Sequence, residues 1–154
     1  MNKLLFLYLC VIPLLLTAGK AQRGPQKEWR APAYKIENIE PPKGVQFEVS
    51  GIDQAPDGTL YIATRHGEVW TYKETGQWQI FAKGLHEPGG LLWTAEGIYI
   101  SQKPELTLLK DDDQDGVADS YLCLTRDWSF SENYHEFSYG VIQDKSGSIY
   151  GSLN

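Results

Sequence analysis

Three stretches decide the fold of this chain: Gly51–Thr64, GIDQAPDGTLYIAT; Gly90–Ser101, GLLWTAEGIYIS; and Gly140–Ser152, GVIQDKSGSIYGS. Each opens on a Gly and an aliphatic residue, passes a Gly-bearing turn (Asp57-Gly58, Glu96-Gly97, Ser146-Gly147) and resumes on an aliphatic–Tyr pair at Tyr61, Tyr99 and Tyr150. An apolar run, a Gly turn and a second apolar run predict a β-hairpin, with Gly supplying the positive φ that a tight turn demands. The first copy continues past His66-Gly67 into Glu68–Tyr72, turns at Gly76 and runs on through Gln77–Phe81. Four short antiparallel strands per copy are therefore expected, which is one blade of a β-propeller.

The period supports that architecture. Tyr61 and Tyr99 lie 38 residues apart and Tyr99 and Tyr150 lie 51 apart, on either side of the roughly 40 to 50 residues of a blade. The longer interval contains an acidic insert at Asp111–Asp119. A β-sandwich also gives short strands and many turns, but does not call for one Gly-and-Tyr signature at a fixed period. The expected fold is all-β, a β-propeller fragment of about three four-stranded blades. The blades fall near 45–83, 84–130 and 131–154, the last stopping after its second strand.

Composition sets the outer bounds. The chain has 154 residues, 42% hydrophobic and 22% charged, with 5 Trp, 9 Tyr and 5 Phe, enough large apolar side chains for a core and too many for general disorder. Fourteen Lys and Arg against 20 Asp and Glu leave a net charge of −6, which argues against nucleic acid as a partner. Residues 1–21 have the layout of a secretory signal peptide: Lys3, an apolar run Leu4–Leu16 broken by Pro13, then small residues to Ala21. That run is shorter than the roughly 20 residues of a membrane-spanning helix, so the expected location is secreted or periplasmic, with no stable membrane span after cleavage. Cleavage leaves Cys123 as the sole cysteine, so no internal disulfide is expected. Residues 22–44, with Pro25, Pro32, Pro41 and Pro42, read as an extended lead-in, and 45–154 as a partial propeller. Closed propellers have about four to eight blades, so the chain is expected to be a piece of a larger ring.

A meander gathers the start of its first strand, the end of its second and the start of its third at one end. That mouth collects Arg65 and His66, Gln102 and Lys103, Tyr134 and His135, and the pair His86 and Glu87 ahead of Gly90. A base, cations and aromatics in one mouth suit a planar anionic quinone and a polyol. Each residue also has a plainer reading: a structural histidine at a strand entrance, a local ion pair for Arg65, loop packing for His66 and His86.

The acidic insert DDDQDGVAD places Asp111, Asp113, Asp115 and Asp119 at relative positions one, three, five and nine, with Gly116 at six. Alternate acids on a Gly-centred turn can converge hard oxygen ligands on Ca²⁺, with the Val117 carbonyl as a further donor. Relative position twelve is Leu122, so the bidentate acid of an EF-hand is missing. A solvated acidic turn is the alternative.

Taken together, Gly51–Tyr72, Gly84–Trp93 (GLHEPGGLLW), the acidic loop, Asn133–Gly140 (NYHEFSYG) and Ser146–Tyr150 resemble the N-terminal part of bacterial six-bladed propellers related to soluble pyrroloquinoline-quinone-dependent sugar dehydrogenases. The resemblance spans roughly Val45–Asn154. It implies His135 as the base that takes a proton from the sugar hydroxyl while hydride passes to the quinone, a role that suits an imidazole with a pKa of about 6.5. It also implies Arg65, Gln102 and Lys103 near the cofactor, a structural Ca²⁺, a sugar or polyol substrate, and a c-type cytochrome or other electron acceptor. The soluble glucose enzymes carry an acid directly before this histidine, where this chain has Tyr134. The function expected is that of a fragment of a quinone-dependent sugar or alcohol dehydrogenase-like propeller, inactive alone. The alternative is a non-catalytic propeller that binds glycans or proteins.

Overall fold

β-branched and aromatic residues in succession suit a strand, as in Glu68–Lys73, where Val69 and Thr71 alternate with Trp70 and Tyr72. The computed structural model describes residues 34–128, 133 and 135–154; the expected signal peptide lies outside these. Ten strands follow one another: β1 (Val49–Gln54), β2 (Leu60–Thr64), β3 (Glu68–Lys73), β4 (Gln77–Lys83), β5 (Gly90–Thr94), β6 (Gly97–Gln102), β7 (Glu105–Lys110), β8 (Ser120–Thr125), β9 (Ser138–Gln143) and β10 (Ile149–Leu153). They build three antiparallel sheets, ordered β1-β2-β3-β4, β5-β6-β7-β8 and β9-β10. The described chain is all-β, without a helix, and so without a helix long and apolar enough to cross a membrane. Every strand lies in the compact unit Ile39–Asn154, and residues 34–38 of the preceding unit carry no regular structure. The chain is tied to the first sheet earlier than Val45: the Trp78 indole N–H donates to the Glu40 carbonyl at 3.0 Å, and Phe47 packs edge-on against Trp78.

The second sheet is covered on both faces, and the period of two explains how. Ile98 and Ile100 of β6, with Leu91 and Leu109, meet Ala63, Val69, Phe81 and Ala82 of the first sheet. Tyr99, between those two isoleucines, turns the other way and with Leu108 meets Val141 of β9. Ile100, Leu109 and Val69 are fully enclosed, each contributing about 1.5–3 kcal/mol of apolar burial.

The repeated glycines that open the three signature stretches sit where the sheets touch backbone to backbone. A Cβ on Gly51 would fall 2.8 Å from the Leu91 amide nitrogen, and one on Gly90 would fall 2.6–2.7 Å from the backbone of Gly140. Any side chain at either position would hold adjacent sheets apart. Near the same seam, the Asp53 carboxylate accepts the outward-facing amide of Trp93 at 2.8 Å, so the edge of β5 is joined to β1 by a side chain.

Two of the three expected Gly turns share one form. The Gly58 amide donates to Ala55 and the Gly147 amide to Asp144, with Gly58 and Gly147 at φ +90° and +91°, giving three-residue hairpin loops. The third differs from expectation. Thr94 pairs directly with Gly97, so Ala95 and Glu96 alone make the turn. Gly97 is needed there because a Cβ would lie 2.4 Å from the Leu109 carbonyl oxygen.

Candidate functional site

The segment Gly84–Gly89 between β4 and β5 builds one end of the molecule. The Leu85 amide donates to Gly67, the Lys103 amide to His86 and the Gly89 amide to Ser101, which ties this loop to the ends of β2 and β6. Glu87 takes a left-handed φ of +48°, a conformation costly outside glycine and concentrated at binding sites. Arg65, Glu87, Pro88, Phe137 and Tyr139 line a cleft of about 310 Å³ here.

Its charge centres on one ring. The Arg65 guanidinium lies 5.3 Å from the centroid of Phe137 and the Lys103 ammonium 5.4 Å, close enough for cation–π attraction worth about 0.5–2 kcal/mol each. Lys103 is largely buried and pairs with Glu87 at 3.5 Å. Arg65 has no carboxylate partner among the described residues; its guanidinium faces the ring, and its backbone amide donates to the Glu48 carbonyl. The cleft therefore carries one cation more than its acid neutralises.

The other mouth residues divide. Gln102 is buried, its carboxamide oxygen accepting the His86 amide at 2.6 Å and its nitrogen donating to Thr107 at 2.6 Å. Both its ends are taken by the chain itself, and it does not line the cleft. His66 faces Glu48 at 3.8 Å. His135 is exposed, with its amide bonded to the Asn133 side chain at 3.1 Å, and it is not among the residues that line the cleft. Tyr134 lies outside the described residues. Phe137, which the sequence reading passed over, has the central place; an aromatic two residues past a strand-entry histidine was the available signal.

The acidic loop joins β7 to β8 at the far end of the sheets, beside the Ala95–Glu96 turn. One carboxylate oxygen from each of Asp111, Asp113 and Asp115 lies within 4.8 Å of the others. The loop wraps around them: Asp111 accepts the Asp115 and Gly116 amides, and Asp115 accepts the Val117 amide. Asp119 instead turns to the Asp112 and Asp113 amides. Gln79 and the Phe81 carbonyl of β4 bond the loop at Asp115 and Ala118, so it also clips the first two sheets together. Convergent carboxylate oxygens have the chemistry to hold a hard cation such as Ca²⁺.

A family model described as a domain of unknown function, DUF7133, matches residues 74–153. The chain belongs to the DUF7133 family. The DUF7133 match takes in β4 to β10, and with them Glu87, Lys103, Phe137 and the acidic loop, and leaves Arg65 outside. No curated protein matches the chain.

Proposed function

We propose that the three sheets are successive blades of a β-propeller and that its mouth binds a small anionic ring-bearing ligand of the sugar-acid type. The observation that carries this reading is the surplus cation at Phe137, set in a cleft of a chain whose net charge is −6. An anion is drawn by Arg65, whose planar donors suit a carboxylate. Tyr139 and Phe137, 5.8 Å apart, offer apolar surface to the ring. The stacking of inner strands at Gly51, Gly90 and Gly140 supports the propeller part. Calorimetric titration with glucuronate and glucose tests the ligand class: glucuronate binds more tightly, salt weakens it, and Arg65→Gln removes the preference. Equal binding of the two sugars, or an unaffected Arg65→Gln variant, overturns it.

The quinone-dependent dehydrogenase reading asks more of this mouth. Pyrroloquinoline quinone brings three carboxylates; among the described residues the mouth offers Arg65 and a Lys103 already shared with Glu87. These residues do not match that cofactor by themselves. What favours this second reading is the position of His135, two residues before Phe137 on the approach to β9. Dye-linked sugar oxidation with added quinone decides: no turnover is expected, and turnover abolished by His135→Gln would install His135 as the base.

A Ca²⁺ ion held by Asp111, Asp113 and Asp115 completes the proposal. Its place would be structural, at the end of the sheets away from the mouth.

A further inference from the structure

The pairing of β1 with β2 slips at one point. Val49 faces Thr64 and Gly51 faces Ala63, so Ser50 is an extra residue, a β-bulge with no opposite number on β2. The bulge is held from both sides. Just before it the Arg65 amide donates to the Glu48 carbonyl at 2.9 Å, and just after it Gly51 lies against the Leu91 backbone. In an unbroken strand Val49 and Ser50 would point to opposite faces, whereas here both line the mouth cleft together with Arg65. Bulges re-aim side chains in this way and are over-represented next to active sites. The Ser50 Oγ is enclosed by this chain's own residues yet has no hydrogen-bond partner among the described residues, and the same holds for the Thr64 Oγ1 on β2. Thr64 is not among the residues that line the cleft.

We infer that Ser50 is a ligand-binding residue of the mouth, its hydroxyl bonding a hydroxyl of the ligand, so that the site selects a hydroxylated acid over a carboxylate on a bare hydrocarbon ring. A buried hydroxyl without a partner costs stability that an apolar group of similar shape would not, and this chain carries that cost at a bulge in the wall of the cleft. A serine hydroxyl both donates and accepts, and it changes partner by turning about a single bond. No strand has to move for it to meet a ligand. Arg65, at the end of β2, then reads the charge and Ser50, on β1, reads the hydroxyl. A site built to bond a hydroxyl discriminates against the analogue that lacks it, because its own polar group is then left unpaired. The inference rests on the proposed reading of the mouth as an anion site.

The test titrates the full chain with two acids of the same charge, glucuronate and cyclohexanecarboxylate, and melts the same variants without ligand. Ser50→Ala is expected to weaken glucuronate about tenfold, the loss of one hydrogen bond, and to leave cyclohexanecarboxylate unchanged, while Arg65→Gln weakens both. Without ligand, Ser50→Ala melts at the same midpoint or higher, because it removes an unpartnered buried hydroxyl. Thr64→Val removes the other such hydroxyl outside the cleft, and it leaves both affinities as they are. Equal effects of Ser50→Ala on the two acids, no effect on glucuronate, or a loss of selectivity by Thr64→Val just as large overturns the role of Ser50 while the anion site stands. A Ser50→Ala midpoint well below that of the native chain would make the hydroxyl a support of the bulge and overturns that role too. Indifference of both acids to Arg65→Gln overturns the anion site, and the inference with it.

Discussion

Gly90→Ala is the sharpest test of how these sheets are joined. Gly90 is not among the glycines with positive φ, so alanine brings no backbone strain and its whole effect is steric. The new Cβ would lie 2.6 Å from the Gly140 carbonyl carbon and 2.7 Å from its Cα and N, where comfortable contact is about 3.5–4.0 Å. All three are main-chain atoms, so no side chain can swing away. β5 and β9 have to part by about 1 Å, and the contact of Tyr99 and Leu108 with Val141 loosens with them. Overpacking costs about 1–3 kcal/mol, and the rigid backbone on both sides puts this case at about 3 kcal/mol. For a folded unit of this size that lowers Tm by roughly 10–15 °C. Gly140→Ala is the matched comparison. Its Cβ would meet nothing within 4 Å, but its φ is +62°, so it loses only about 1–2 kcal/mol of conformational strain. Thermal melts by circular dichroism should rank Gly90→Ala well below Gly140→Ala, and the reverse order or an unshifted Gly90→Ala melt refutes the seam.

Three further outcomes are expected. Ca²⁺ raises the melting midpoint relative to chelator, because binding to the folded form alone shifts its equilibrium, and Asp113→Asn reduces that rise; identical melts leave the loop a solvated acidic turn. The Ser146 hydroxyl and the Ser148 amide hold the Asp144 carboxyl at about 2, below its ordinary value of 3.8. Its support of the β9–β10 turn is therefore full above the unfolded value and is lost as pH falls through about 2. Carboxyl NMR should give that midpoint and Ser146→Ala should raise it, whereas titration near 3.8 in the intact protein counts against the turn. Export should yield a chain starting near residue 19 or 22, and exported protein beginning at Met1 would reject the signal peptide.

The strands were legible because a period of two and Gly-marked turns are local properties, and the two full meanders and the final hairpin fall where those patterns predict. The repeated glycines were legible as a signature but not as a seam. Their role depends on strands some 40 residues apart in sequence meeting in space. The same limit applies to the three signature tyrosines, which share a sequence position and not an environment. Tyr61 stacks edge-on against Phe81, Tyr99 is buried with its hydroxyl on Glu96, and Tyr150 is half-exposed with its hydroxyl on Asp144. At the mouth, topology gathered the right loops, but it does not tell which polar side chains face inward. Gln102 reads the same as Lys103 in sequence, and only the fold shows its carboxamide closed on His86 and Thr107. Phe137 was invisible for the converse reason, since an apolar side chain gives no chemical signal until charges are seen gathered on it.

The carboxylate of Asp53 on the Trp93 amide has a consequence for how the protein behaves in a crowded solution. A bare strand edge is a template on which stray extended chain can crystallise into fibre. Here a hydrogen bond that such an intruder would need is already filled, and it is filled by a charged group whose displacement strips one carboxylate oxygen of its donor. Asp53 thus acts as a guard on the inner edge of β5. Its replacement by valine, a good strand former, would remove the guard while sparing the strand, leaving a chain that folds yet clumps.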